Sequence, residues 1–171
     1  MKTLSAVFFA LALAVPALAQ DDTASIQNSF GYANLSFPNL ITGQVGRHSG
    51  FVNQTDLNLT KHFGFDNYMG IYSVGQGVTL LSDFVGGKIM MPREKFTPYA
   101  LAGLGGGYFS ASTGAATSFA TRYGGGVTIP INDSIAWRVE YSRLNFHLQT
   151  TPDSAWTSGN NFAAGIVFKV N

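Results

Sequence analysis

The chain has 171 residues, 46% of them hydrophobic, 13% aromatic and only 11% charged, where soluble domains carry roughly 25% charged residues. Ten Lys+Arg against nine Asp+Glu exclude a nucleic-acid binder driven by a basic field. The absence of Cys excludes a disulfide framework, a thiolate metal site and a Cys nucleophile.

Met1-Lys2 is a short positive segment, Leu4 to Val15 an apolar run, and Pro16-Ala17-Leu18-Ala19 a small-residue A-x-A site. Residues 1–19 therefore read as a Sec-type signal peptide, cleaved after Ala19. The run is too short to span a bilayer core of ~30 Å, which takes ~20 apolar residues. Residues 20–171 are expected to form one domain. Loss of Lys2 leaves nine positive and nine negative charges. An exported, Cys-free, neutral chain of this size points to a bacterial envelope.

No later segment reads as a spanning helix; what recurs is alternation with period two, broken by Gly, Asn, Asp, Ser and Pro. Eight strands are predicted, at 28–37, 50–60, 67–75, 80–91, 96–110, 118–131, 134–147 and 160–170. Most are longer than the usual ~5–6 residues and match the ~9–11 of a tilted transmembrane strand. The last two are clearest. Ile135, Trp137, Val139 and Tyr141 alternate with Ala136, Arg138, Glu140 and Ser142. Phe162, Ala164, Ile166, Phe168 and Val170 share a face opposite Ala163, Gly165, Val167 and Lys169.

The connections at 61–66, 92–95 and 130–134 are predicted as short turns. They alternate with Ser/Thr/Gly/Asn-rich segments at 38–49, 75–79, 112–117 and 149–159, mostly longer, as in outer-membrane barrels. Alternation alone fits a soluble lipocalin-like barrel equally well, with its apolar face inward. Three features favour lipid outside. The polar faces hold few charges and many small residues, against ~25–35% charge on a soluble surface. An eight-stranded interior is just wide enough to be filled by side chains. Aromatics fall near strand ends, as girdles require: Phe30, Tyr32, Phe51, Tyr68, Tyr72, Phe96, Tyr99, Tyr108, Phe109, Phe119, Tyr123, Phe162 and Phe168. A hairpin turning near Gly114-Ala115 would set Gly105 opposite Gly124, with Gly86-Gly87 near Leu101-Ala102.

Candidate chemistry is sparse. Gly103-Leu104-Gly105-Gly106-Gly107 lacks the following helix and the lysine of a phosphate-binding loop, and no cofactor or metal is expected. A Ser-His lipid hydrolase would use Ser142 or Ser110 with His147, but Ser142 and His147 lie on opposite faces of one strand, out of hydrogen-bond reach. His48 is read as loop and His62 as an interfacial turn residue. Asp66, Glu94, Asp133 and Asp153 are placed in turns or loops. Within strands, Asp56 and Glu140 have the polar parity, and Lys88, Arg122 and Arg138 join them. Arg or Lys facing lipid at mid-membrane costs ~2–4 kcal/mol, so these five are expected to point inward and pair, with Glu140 bridging Arg138 and Arg122.

In order and spacing, several segments resemble the eight-stranded outer-membrane β-barrel superfamily, the OmpA-like transmembrane domain. They are Ser29-Phe30-Gly31-Tyr32, Asn58-Leu59-Thr60-Lys61-His62-Phe63-Gly64, Thr97 to Gly107, Tyr123-Gly124-Gly125-Gly126-Val127, Trp137-Arg138-Val139-Glu140-Tyr141 and Ala163 to Val170. One departure is the chain end, Phe168-Lys169-Val170-Asn171, where such chains usually finish on an aromatic residue. The resemblance implies periplasmic termini, short periplasmic turns, outward loops and assembly by the outer-membrane insertion machinery. The reading is an all-β, eight-stranded, antiparallel up-and-down transmembrane β-barrel in a bacterial outer membrane. It is expected to be monomeric and non-enzymatic, in contact with outer-membrane lipid and lipopolysaccharide, with a structural or surface-interaction role and a plugged lumen. A narrow, porin-like diffusion channel is the alternative; a soluble periplasmic lipocalin-like barrel is third.

Overall fold

A computed structural model describes residues 24–38, 43–75, 77–112, 114–149 and 154–170. The expected signal peptide, its cleavage site and Asp153 lie outside them. Eight strands run in order: β1 (Ser25–Pro38), β2 (Val45–Asn58), β3 (Phe63–Ser73), β4 (Thr79–Met90), β5 (Thr97–Ala111), β6 (Gly114–Pro130), β7 (Ile135–Gln149) and β8 (Ser154–Val170). Each pairs antiparallel with the next, and β1 pairs with β8 from Ile26↔Val170 to Ser36↔Asn160, closing the barrel. Closure leaves no open sheet edge, so the backbone ladder satisfies itself all the way round, as a bilayer demands.

The alternation resolves into an outside and an inside. Phe30, Tyr32, Phe51, Ile71, Leu104, Trp137, Tyr141, Phe162 and Phe168 are exposed on the outer wall. Asp56, Asp66, Lys88, Arg122, Arg138 and Glu140 are buried in the lumen. Apolar outside and charged inside is the arrangement of a transmembrane barrel and the inverse of a lipocalin's.

Several expectations need correction. Parts of the Ser/Thr/Gly/Asn-rich segments are strand: residues 45–49, 114–117 and 154–159 belong to β2, β6 and β8, and the β5–β6 ladder runs on from Ala115↔Ser110 to Gly114↔Ala111. Antiparallel pairing needs no apolar side chains, so a composition that reads as loop still extends a hairpin. The tighter β5–β6 closure also shifts the register. Gly105 pairs with Ala120, and Gly124 with Leu101; the β4–β5 register is as expected, with Gly87 opposite Ala102 and Gly86 opposite Gly103. A Cβ on Gly105 would fall against the Asp83 carbonyl oxygen of β4, so glycine there permits close strand approach.

Tyr68, Tyr72, Tyr99 and Phe109 are not girdle residues; all four point into the lumen and are buried. Their positions near strand ends suggested the membrane interface, but their parity puts them on the inner face. His48 belongs to β2, where its Nδ1 lies 3.1 Å from the Ser73 carbonyl oxygen.

Candidate functional site

The interior is built in layers. Nearest the short turns, Asp56 of β2 pairs with Lys88 of β4 at 2.6 Å and with Arg138 of β7. Arg138 also donates to Ser29 Oγ at 3.2 Å. The next layer centres on Arg122 of β6, held between Asp66 of β3 and Glu140 of β7, each at 2.5 Å. The Arg122 guanidinium lies 3.9 Å from the Tyr68 ring centroid, close enough for a cation–π contact.

Neutral side chains knit the layers together. Gln54 Nε2 donates to Asp66 Oδ2 at 2.6 Å and to Glu140 Oε2 at 3.1 Å. Tyr99 donates its hydroxyl to Glu140 Oε2 at 3.0 Å, while Lys88 and Arg138 sit 5.4 and 5.6 Å from its ring. One tyrosine thus touches both ionic groups. Three cations face three carboxylates, each at most 3% exposed, so the cluster carries no net formal charge. Isolated ions would pay a heavy desolvation cost here, and close pairing with further hydrogen bonds is what makes such burial tolerable.

Above the ions a belt of neutral polar groups follows. Tyr68 and Tyr72 share a hydrogen bond. Tyr72 donates to Asn161 Oδ1 at 3.0 Å, and Asn161 Nδ2 donates to the Tyr68 hydroxyl at 3.1 Å. Toward the far end the lumen becomes apolar, with Leu35, Phe37, Leu80, Phe84, Phe109, Leu144 and Phe146 buried together. Phe37 and Phe109 stack at 6.1 Å, and Phe146 meets both edge-on at 5.6 and 5.5 Å.

The structure gathers Asp56, Lys88, Arg122, Arg138 and Glu140 in this lumen. It corrects two details. Glu140 does not bridge the arginines: it holds Arg122, while Arg138 turns to Asp56. Asp66 is not a turn residue but a buried member of β3, because that strand begins at Phe63. The signal was present in Phe63, Phe65, Met69 and Ile71, whose odd parity leaves Asp66 facing inward with Tyr68. Ser142 is buried in the lumen, whereas His147 packs on Trp156 at 5.0 Å on the other face of β7. No hydrolase pair forms between them.

No family model and no curated protein matches the sequence. Solved structures do match in fold. Neisserial surface protein A superposes with a TM-score of 0.64 at 12% identity, covering 86% of this chain and 97% of that one. The N-terminal β-barrel domain of Pseudomonas aeruginosa OprF gives 0.60 at 12% identity, covering 86% and 98%. Ail of Yersinia pestis, in complex with the heparin analogue sucrose octasulfate, gives 0.57 at 15% identity, covering 86% and 99%. The fold is that of the eight-stranded outer-membrane β-barrels. A de novo designed transmembrane β-barrel also superposes, with a TM-score of 0.58 at 15% identity, so the architecture is shared without shared sequence.

Proposed function

We propose that the chain is a non-enzymatic, monomeric outer-membrane barrel whose lumen is closed to ions, and that it acts structurally or through its exposed loops. Export through the Sec-type signal and insertion by the outer-membrane machinery belong to this reading, as does contact with outer-membrane lipid and lipopolysaccharide. The observation that carries it is the layered interior. Arg122 locked between Asp66 and Glu140 at 2.5 Å spans the lumen, and the phenyl cluster around Phe146 lies above it. An ion would have to displace paired charges in one layer and pass hydrocarbon in the next. The surface role draws support from the similar folds of Neisserial surface protein A and of Ail with its heparin analogue.

One observation favours the narrow-channel alternative. A vestibule of about 200 Å³ at the short-turn end is lined by Gln27, Lys88, Tyr99 and Lys169, among others. Planar-bilayer recording separates the two readings. The closed barrel gives no resolved current steps. Regular steps from the unmodified protein would make it a channel.

A further inference from the structure

The outer wall of β1–β4 carries polar side chains where lipid should be. Asn28 donates to Thr55 Oγ1 at 2.8 Å, and Asn53 donates to Asn28 Oδ1 at 3.1 Å. Thr55 pairs in register with Asn67, and Asn67 donates to Asp83 Oδ1 at 3.2 Å. Parity places these groups among exposed apolar neighbours: Phe30 beside Asn28, Met69 beside Asn67, and Leu81 and Val85 flanking Asp83. The track ends on Asp83, four residues inside the Thr79 end of β4. Among the described residues no Lys, Arg or His pairs with this carboxyl.

Asp83 opens onto a groove of about 570 Å³ on the outside of β4–β6, walled by Leu81, Val85, Leu104, Tyr108 and Phe119. Its floor is Gly106, the register partner of Asp83, where a Cβ would lie 3.1 Å from the Ser118 carbonyl oxygen. The volume falls in the usual range for ligand sites, roughly 300–1,000 Å³. On the membrane-barrel reading this groove faces lipid, where Asn67 and the Phe84 backbone N–H cover only part of the Asp83 carboxyl; a further donor carried by a lipid would lower the cost of holding it against hydrocarbon.

We propose that this groove is a lateral lipid site that selects an acyl chain carrying a hydrogen-bond donor, a hydroxyl or an amide N–H, which Asp83 accepts. The proposal rests on the membrane-barrel reading above. The apolar walls suit hydrocarbon, and the single carboxyl suits one donor along it. A free cation is disfavoured because it would itself have to be stripped of water at this depth. A second copy of the chain is also disfavoured. Of its outward strand arginines, Arg143 is engaged with Ser158 Oγ at 2.6 Å on the β7–β8 side, so an Asp83–Arg143 contact would run head to tail and would not close as a two-fold dimer; Arg47 stands well along β2 from Asn53, the residue that the register through Met69 sets level with Asp83.

The test uses Trp156, whose ring lies 6.3 Å from Phe119 in the groove wall, in a Trp137→Phe background that leaves it the sole tryptophan. The protein is reconstituted in dibrominated phosphatidylcholine, which quenches nearby tryptophan. Phosphatidylcholine with 3-hydroxylated chains, or with plain chains, is then mixed in. The expected result is relief of quenching by the hydroxylated lipid at about three- to tenfold lower mole fraction, the worth of one hydrogen bond. Asp83→Leu should remove the preference, and Asp83→Asn, whose amide oxygen still accepts, should keep part of it. Should Asp83→Leu fail to fold, Gly106→Val fills the floor, spares the carboxyl and should also abolish the preference. Equal relief by both lipids in the unmodified protein overturns the proposal. Relief that follows protein density whatever the lipid also overturns it and assigns the groove to a second copy. Absence of quenching by brominated lipid would instead sink the membrane reading itself.

Discussion

Truncating Glu140 probes the ionic layer at its most connected point. Glu140→Ala removes one of two carboxylates on Arg122. It also strands the Tyr99 hydroxyl and one contact of Gln54 Nε2, bonded now at 3.0 and 3.1 Å. Removing one partner of a buried ion pair typically costs ~3–5 kcal/mol. Asp66 still holds Arg122 at 2.5 Å, which points to the lower half of that range. The buried donors left without acceptors add ~1–3 kcal/mol, for a loss of ~4–7 kcal/mol. With a urea slope of ~2 kcal/mol/M, the unfolding midpoint in lipid vesicles should fall by ~2–3.5 M. Asp133 lies in the exposed turn after β6, so Asp133→Ala should stay within about 0.5 kcal/mol of the unmodified protein. Arg122→Met in the Glu140→Ala background should cost less than the sum of the single changes, because the double variant no longer buries that mismatched pair. Equal, small shifts for Glu140→Ala and Asp133→Ala would refute the reasoning.

The exported protein should begin Gln20-Asp21-Asp22, and intact-mass measurement should show the loss of residues 1–19; a product retaining Leu4 to Val15 would contradict the secretory reading. Gly105→Ala should push β4 and β5 apart at the Asp83 carbonyl and cost ~1–3 kcal/mol, read as a lower urea midpoint, whereas Gly43→Ala, with no atom within 4 Å of its Cβ but a φ of 70°, should pay only the smaller cost of a left-handed backbone.

The outer wall was legible because lipid and lumen impose opposite polarity on successive residues. Ile135 to Tyr141 and Phe162 to Phe168 show this without reference to any other strand. The pairing inside was harder to read, since its partners meet across the barrel rather than along the chain. Arg138 and Glu140 share a face of one strand, yet one pairs with Asp56 of β2 and the other with Arg122 of β6. Which carboxylate each arginine takes depends on register and barrel width, which no local pattern encodes. Asp66 was missed for a related reason: Gly64 and Asp66 have turn chemistry, and only the flanking Phe63, Phe65 and Met69 show that β3 has already begun. Hairpin closure at Ala111↔Gly114 likewise lies in a Ser/Thr/Gly segment that composition alone assigns to loop.

The central claim is an inside-out barrel, with lipid against the apolar parity and paired ions within. The chain has no Cys, so single cysteines can carry spin labels without background. Labels at positions 137, 139 and 141, reconstituted in vesicles, should collide readily with dissolved oxygen and hardly at all with a water-soluble nickel chelate. A label at position 133 should do the reverse. Nickel-accessible labels at 137, 139 and 141 would place Trp137, Val139 and Tyr141 in water and contradict the account.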